Sequence, residues 1–199
     1  MLLAFDTSSS ACTAALFDGE ECIASRDELI GRGHAERLVP MIAEMIGDRR
    51  AAEILVGVGP GSFTGIRVAI AAAHGLAIGW NAKLSGMSSL ALLAASAGEA
   101  VSVAVLGGHG ELFVQNFDGA GSAASELRNL APVQAAAFAS EPLVIGSGAG
   151  QLVDLRGWGE ARDAWPWAAN SLRISEALRS LDPRPVYARA PDAQPKRAA

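Results

Sequence analysis

Apolar residues run unbroken through Leu2-Leu3-Ala4-Phe5 and nearly so from Ala11 to Phe17, which predicts two buried strands. A third run, Glu21 to Glu28, is more polar, and Asp18-Gly19 supplies the turn between it and the second. Strands in that order make an antiparallel meander. From Gly33 to Ile46 the period becomes helical, with Leu38, Val39, Ile42 and Ile46 on one stripe and Met41 and Met45 at its edge. Glu53 to Val58 predicts a fourth strand that ends at Gly59-Pro60-Gly61. Ser62 or Thr64 is then placed to cap a second helix reaching about Ile78. Leu84 to Met87, as a strand, and a helix from Ser88 to Ala97 complete a first lobe over residues 1–99.

The same vocabulary returns in smaller pieces over residues 100–199. Val101 to Leu106 and Glu111 to Phe117 predict strands around His109-Gly110, and the Ala-rich stretch 122–140 predicts helix in part. Leu143-Val144-Ile145 reads as a short buried strand, and Ala169 to Leu181 as a helix stopped by Asp182-Pro183, with fraying beyond. A second lobe on the plan of the first, in eroded form, gives a pseudo-symmetric two-lobed α/β fold.

Composition narrows the function classes. Half of the 199 residues are hydrophobic and 19% are charged, as in a compact chain with a real core. Cys12 and Cys22 lie in apolar strand-like runs, which points to reduced thiols in the cytosol and away from a disulfide framework. The first strand starts at the N-terminus without a basic region, so no signal peptide is expected there. The apolar stretch from Val68 to Trp80 is interrupted by His74 and falls short of the roughly 20 residues of a membrane span. A net charge of −5 works against binding nucleic acid through its phosphates, and the clearest basic cluster is Arg184, Arg189, Lys196 and Arg197.

Two turns carry candidate chemistry. Asp6-Thr7-Ser8-Ser9 follows the first strand, where a carboxylate and hydroxyls either orient Mg²⁺ and a phosphate or hold the turn by hydrogen bonds to nearby amides. Gly57 to Gly65 leads into a helix N-terminus, a geometry that accepts anions or lets the helix pack closely. Ile66 after Gly65 excludes a Walker A loop, and the glycine spacing is not that of a dinucleotide fingerprint. Candidate phosphate or nucleotide contacts are therefore Asp6, Thr7, Ser8, Gly61, Ser62 and Thr64. The helix that follows is apolar nearly all round, and its outer face must be enclosed or covered by a partner. Candidate partner contacts are Leu38, Met41, Ile42 and Met45 on the first helix, with Arg67, Ile70, Ala72 and His74 on the second. His34, His74 and His109 form neither a pair at helical spacing nor a cluster with cysteine, so no metal site is expected. Nor is Gly61-Ser62-Phe63-Thr64-Gly65 a nucleophile elbow.

Four segments together resemble the bacterial TsaB family: Leu3 to Ser8, His34 to Pro40, Gly59 to Arg67, and Pro185-Val186-Tyr187-Ala188-Arg189 with Pro191 to Pro195 behind it. The resemblance implies a two-lobed, actin-like ATPase (ribonuclease H-like) fold with a degenerate second lobe. It implies a non-catalytic scaffold or activating subunit in making threonylcarbamoyladenosine in tRNA. The implied partners are a TsaD-like catalytic homologue and a TsaE-like ATPase subunit, with a homodimer when the chain is alone and tRNA reached only through the complex. No cofactor of its own follows, and any ATP or ADP belongs at the partner interface. The catalytic homologue's metal-binding His-x-x-x-His is broken here, because Leu38 stands four residues after His34. Gly107-Gly108-His109 replaces the family's Asp-Ala-Arg turn. The alternative is an independent small ATPase or kinase that uses Asp6 and the Gly59 to Thr64 turn. A peptidase is disfavoured by the lack of a metal pair or triad.

Overall fold

A computed structural model of the chain describes residues 1–187. Ala188, Arg189, Pro191 to Pro195, Lys196 and Arg197 of the C-terminal motif and basic cluster lie outside the described residues. The first sheet holds β1 (Leu2–Asp6), β2 (Ala11–Asp18), β3 (Glu21–Leu29), β4 (Glu53–Gly57) and β5 (Lys83–Met87) in the order β3-β2-β1-β4-β5. β1 pairs antiparallel with β2 and parallel with β4, so it is the central strand, and its apolar run is buried on both faces. β3 is an edge strand, mostly exposed, which accounts for its polar composition.

Helices α1 (His34–Ile46) and α2 (Phe63–Trp80) cover one face of this sheet. α2 is 18 residues long and, by length and composition alone, apolar enough to cross a membrane. Gly65, Ile66, Ala69, Ile70 and Ala73 are nevertheless buried in the core that α2 shares with β1, β4 and α1. α3 (Ser89–Ala94) is buried at every position on the opposite face of the sheet, where it joins the two lobes.

The second sheet repeats the first. β6 (Val101–Leu106), β7 (Leu112–Phe117), β8 (Arg128–Leu130), β9 (Leu143–Ile145) and β10 (Glu160–Arg162) stand in the order β10-β9-β6-β7-β8. Pairing directions match strand for strand: antiparallel for β6 with β7 and β7 with β8, parallel for β6 with β9 and β9 with β10. α4 (Pro132–Phe138) and α5 (Ala149–Arg156) occupy the places of α1 and α2. Erosion of the second lobe is thus a matter of length, since β8, β9 and β10 have 3 residues each while the order is intact.

Ala4, Leu55, Leu90, Val103, Phe117 and Ile145 belong to one hydrophobic cluster that spans both sheets, so the lobes share a core. The helix expected over Ala169 to Leu181 is instead a 3-10 turn, Ala168–Arg173, and a single helical turn, α6 (Glu176–Arg179). Ile174 between them is extended and buried in the shared core, and its burial outweighs the local helical period. From there the chain returns to the first lobe. Leu181 and Gly86 exchange backbone hydrogen bonds, and the Val186 amide donates to Val58 O at 2.8 Å.

Candidate functional site

β1, β4 and β5 run parallel and end on the same edge of the first sheet, so the turns that follow them meet there. Asp6 is fully buried at that point. Its Oδ1 accepts from the Ser8 amide at 2.6 Å and Ser8 Oγ at 2.7 Å, and its Oδ2 accepts from Ser89 Oγ at 2.6 Å. Burial pushes its carboxyl above the usual carboxylate range, against the pull of the Ser89 and Ser8 hydrogen bonds. Asp6 therefore holds its own turn, the second of its two readings, and does not line the cleft between the lobes. Thr7 is likewise buried, donating from Oγ1 to Gly65 O at 2.7 Å.

The glycines serve close approach. A side chain at Gly57 would collide with the Asp6 carboxylate, one at Gly61 with Ser8 O, and one at Gly65 with Thr7 O. Ser8 O also accepts from the Ser62 amide at 2.6 Å, locking the two turns together. Of the two readings left open for this stretch, close packing is the one the geometry realises. Ser62 caps α2, its Oγ accepting from the Gly65 amide at 3.2 Å, and Thr64 is exposed on the first helical turn. Of the six expected contacts, only Ser8, Gly61 and Ser62 line the cleft between the lobes.

That cleft has a volume of about 1000 Å³. One wall is formed by residues 8–10, Pro60 to Phe63 and Arg67, the other by Val105 to His109, Phe113 and Ser147. The returning chain closes it with Trp165 and Tyr187. Trp165 Nε1 donates to Ser10 Oγ at 3.1 Å across the lobes. No Asp or Glu is among the described residues that line it. Gly146 and Gly148, in the turn from β9 to α5, pack against Ala104 O and Leu112 of the neighbouring strands, as in an ordinary strand-to-helix turn.

Ser89, Trp165 and the Thr13-Asp27 pair were not singled out from the sequence. Ser88-Ser89 does follow the third parallel strand at the sheet edge, which is the signal that could have found Ser89. Thr13 Oγ1 accepts from the Ala168 amide at 2.8 Å while hydrogen-bonding Asp27, and nothing local in the sequence announces it.

The expected partner contacts separate sharply. Leu38, Met41, Ile42, Met45 and Ile70 are buried in the chain's own core, so their assignment to a docking surface is corrected. Ala72 is half-buried, whereas Arg67 and His74 are exposed. His34 is buried with Nε2 3.2 Å from Ala11 O. Arg37, on the outer side of α1, is held by Glu28 at 2.6 Å and Glu44 at 2.9 Å, and its guanidinium holds the Glu28 carboxyl below the usual range.

The family model for TsaD, tRNA N6-adenosine threonylcarbamoyltransferase, matches residues 22–140, more than half of the chain. "tRNA threonylcarbamoyladenosine biosynthesis protein TsaB" of Escherichia coli strain K12 is 35% identical over 101 residues, 48% of this chain and 43% of that protein. The protein of the same name from Haemophilus influenzae is 40% identical over 104 residues, 49% and 43% of the two chains. The chain belongs to the TsaB family. In these matches it spans less than half of each relative's length. Over the whole fold, the solved structure "YeaZ from Pseudomonas aeruginosa" superposes with a TM-score of 0.80 at 29% identity, covering 94% of this chain and 99% of that one. The repeated strand order gives this TsaB-family chain the two-lobed α/β fold expected from the sequence.

Proposed function

We propose that this TsaB-family chain serves threonylcarbamoyladenosine formation in tRNA as a non-catalytic subunit, docking onto a TsaD-like homologue through the outer face of α2. The observation that carries the reading is the composition of that face. From Val68 to Trp80 the helix has no Asp, Glu, Lys or Arg. Ala71, Gly75 and Gly79 recur every four residues on its exposed side, and Ile78 beside them is 83% exposed. A Cβ at Gly75 or Gly79 would meet nothing within 4 Å among the described residues, yet glycine inside a helix costs roughly 1 kcal/mol relative to alanine. A stripe of small residues that the chain itself does not need is what a closely approaching second helix requires.

The cleft supports the same reading. A phosphoryl-transfer site holds its Mg²⁺ through carboxylates facing the substrate. Here Asp6 spends both oxygens on Ser8 and Ser89, which weighs against the independent ATPase. Alone, the chain pairs with a second copy through the α2 face. In the cytoplasmic complex, a TsaE-like ATPase and tRNA join through the catalytic homologue, and ATP or ADP belongs to the interface. A net charge of −5 agrees with tRNA being held mainly by other subunits.

The test mixes the purified chain with the TsaD-type protein of the same organism and follows both sedimentation and tRNA modification. A complex that supports modification, and that Ile78→Asp abolishes while the variant stays folded, is expected. Modification that proceeds equally without the chain would overturn the proposal.

A further inference from the structure

Three of the large apolar side chains that stand exposed on this molecule face one cavity. Phe63 is 63%, Leu106 52% and Tyr187 50% exposed, and all three line the cleft between the lobes. Its volume, about 1000 Å³, is at the upper end of ligand-sized pockets. Trp165 adds a further aromatic wall, fixed by its hydrogen bond to Ser10.

Arg67 stands at the rim of this surface. Its guanidinium carbon lies 3.2 Å from the Phe63 ring centroid and 5.3 Å from that of Tyr187. One nitrogen donates to Phe63 O at 3.3 Å. No carboxylate among the described residues is within ion-pairing distance, and toward those residues most of its five N–H donors are unspent. The rings hold the guanidinium in place by cation–π contact, which lowers the entropy lost when it grips a ligand. With no acidic residue among the described lining, nothing on these walls would hold the cation of a metal-bound phosphate chain.

We propose that the interlobe cleft binds a flat aromatic molecule carrying one anionic group and no bound metal, with the ring between Phe63, Leu106 and Trp165 and the anion on Arg67. The site shares α2 with the proposed docking face, since Phe63 and Arg67 lie on its first two turns, but it is completed in the cleft by Leu106 of the second lobe and Trp165.

The experiment titrates the full chain with two fluorescent probes, 8-anilinonaphthalene-1-sulfonate and N-phenyl-1-naphthylamine, which is the same ring system without the sulfonate. The sulfonate probe should bind saturably at one per chain and more tightly than the neutral one. Arg67→Met, which keeps an apolar stem over Phe63, should weaken the sulfonate probe about tenfold and change the neutral probe by less than about twofold. Leu106→Asp, an exposed change on the opposite lobe, should weaken both. Unchanged sulfonate binding in Arg67→Met, unchanged binding of both probes in Leu106→Asp, or uptake of many probe molecules without saturation would each overturn the proposal.

Discussion

Helices α1 and α2 cover the same face of one sheet, and both read in the sequence as apolar helices with surface to spare. α1 spends most of its large apolar residues inside the chain: Leu38, Met41, Ile42, Met45 and Ile46 are all buried, while Val39, 48% exposed, stands with Glu36 and Glu44 on its outer side. α2 buries Ile66, Ala69, Ile70 and Ala73 and leaves Ala71, Gly75, Ile78 and Gly79 outside. Large flexible side chains at a helix edge therefore marked core in α1. In α2 the mark of an interface is the residue for which the chain has no internal use.

The widest gap between the helices should appear on placing a charge in each. Met41→Asp buries an unpaired carboxylate in the first core and should cost about 3 to 5 kcal/mol, enough to prevent folding or nearly so. Ile78→Asp should leave stability within about 0.5 kcal/mol of the parent. Urea denaturation of both checks this, and a folded, stable Met41→Asp would contradict the placement of α1.

Next in size is the contact between the first two turns. Gly57→Ala drives a methyl group into the Asp6 carboxylate and should destabilise by about 1 to 3 kcal/mol, as overpacking does. A neutral result in the same denaturation assay would mean that Asp6 can move away, and with it the reading of that carboxylate as fixed.

These turns also show what could be read from the sequence and what could not. The strands and opening meander, both helices and the glycine turn of the first lobe follow from local periodicity and turn residues, because each is decided within about ten neighbours, whereas the parallel place of β4 beside β1 is not. Whether Gly61 and Gly65 cradle an anion or admit a neighbouring turn is decided by Ser8 and Thr7; the Thr7–Gly65 hydrogen bond bridges 58 residues of sequence. The Ser89 hydroxyl on Asp6 comes from 83 residues away. Met41 and Met45 look alike as core or interface until the packing of α1 on the sheet is known. The helix expected over Ala169 to Leu181 failed for a related reason, since burial of Ile174 in the core between lobes overrode the local period.

A smaller effect follows from the Asp6 carboxyl. Burial raises its proton affinity in the folded chain, so its contribution to stability is full below the ordinary carboxylate pKa of about 4 and is lost as pH rises toward neutrality. The stability of the parent relative to Asp6→Asn should accordingly fall between acid and neutral pH. A difference that grew with pH would mean that Asp6 is charged and held by Ser8 and Ser89.

The smallest change sharpens the contrast between the helices most. Gly75→Ala fills open space and should raise the stability of the isolated chain by about 0.5 to 1 kcal/mol, since alanine favours the helix and restricts the unfolded chain.

Gly75→Leu puts the central claim to its most direct test, with affinity for the TsaD-type homologue measured by sedimentation or calorimetry on a variant shown to be as stable as the parent. A bulky side chain that the chain itself tolerates should block the approach of the partner helix and abolish binding. Parental affinity in this variant would place the docking surface away from α2 and contradict the account.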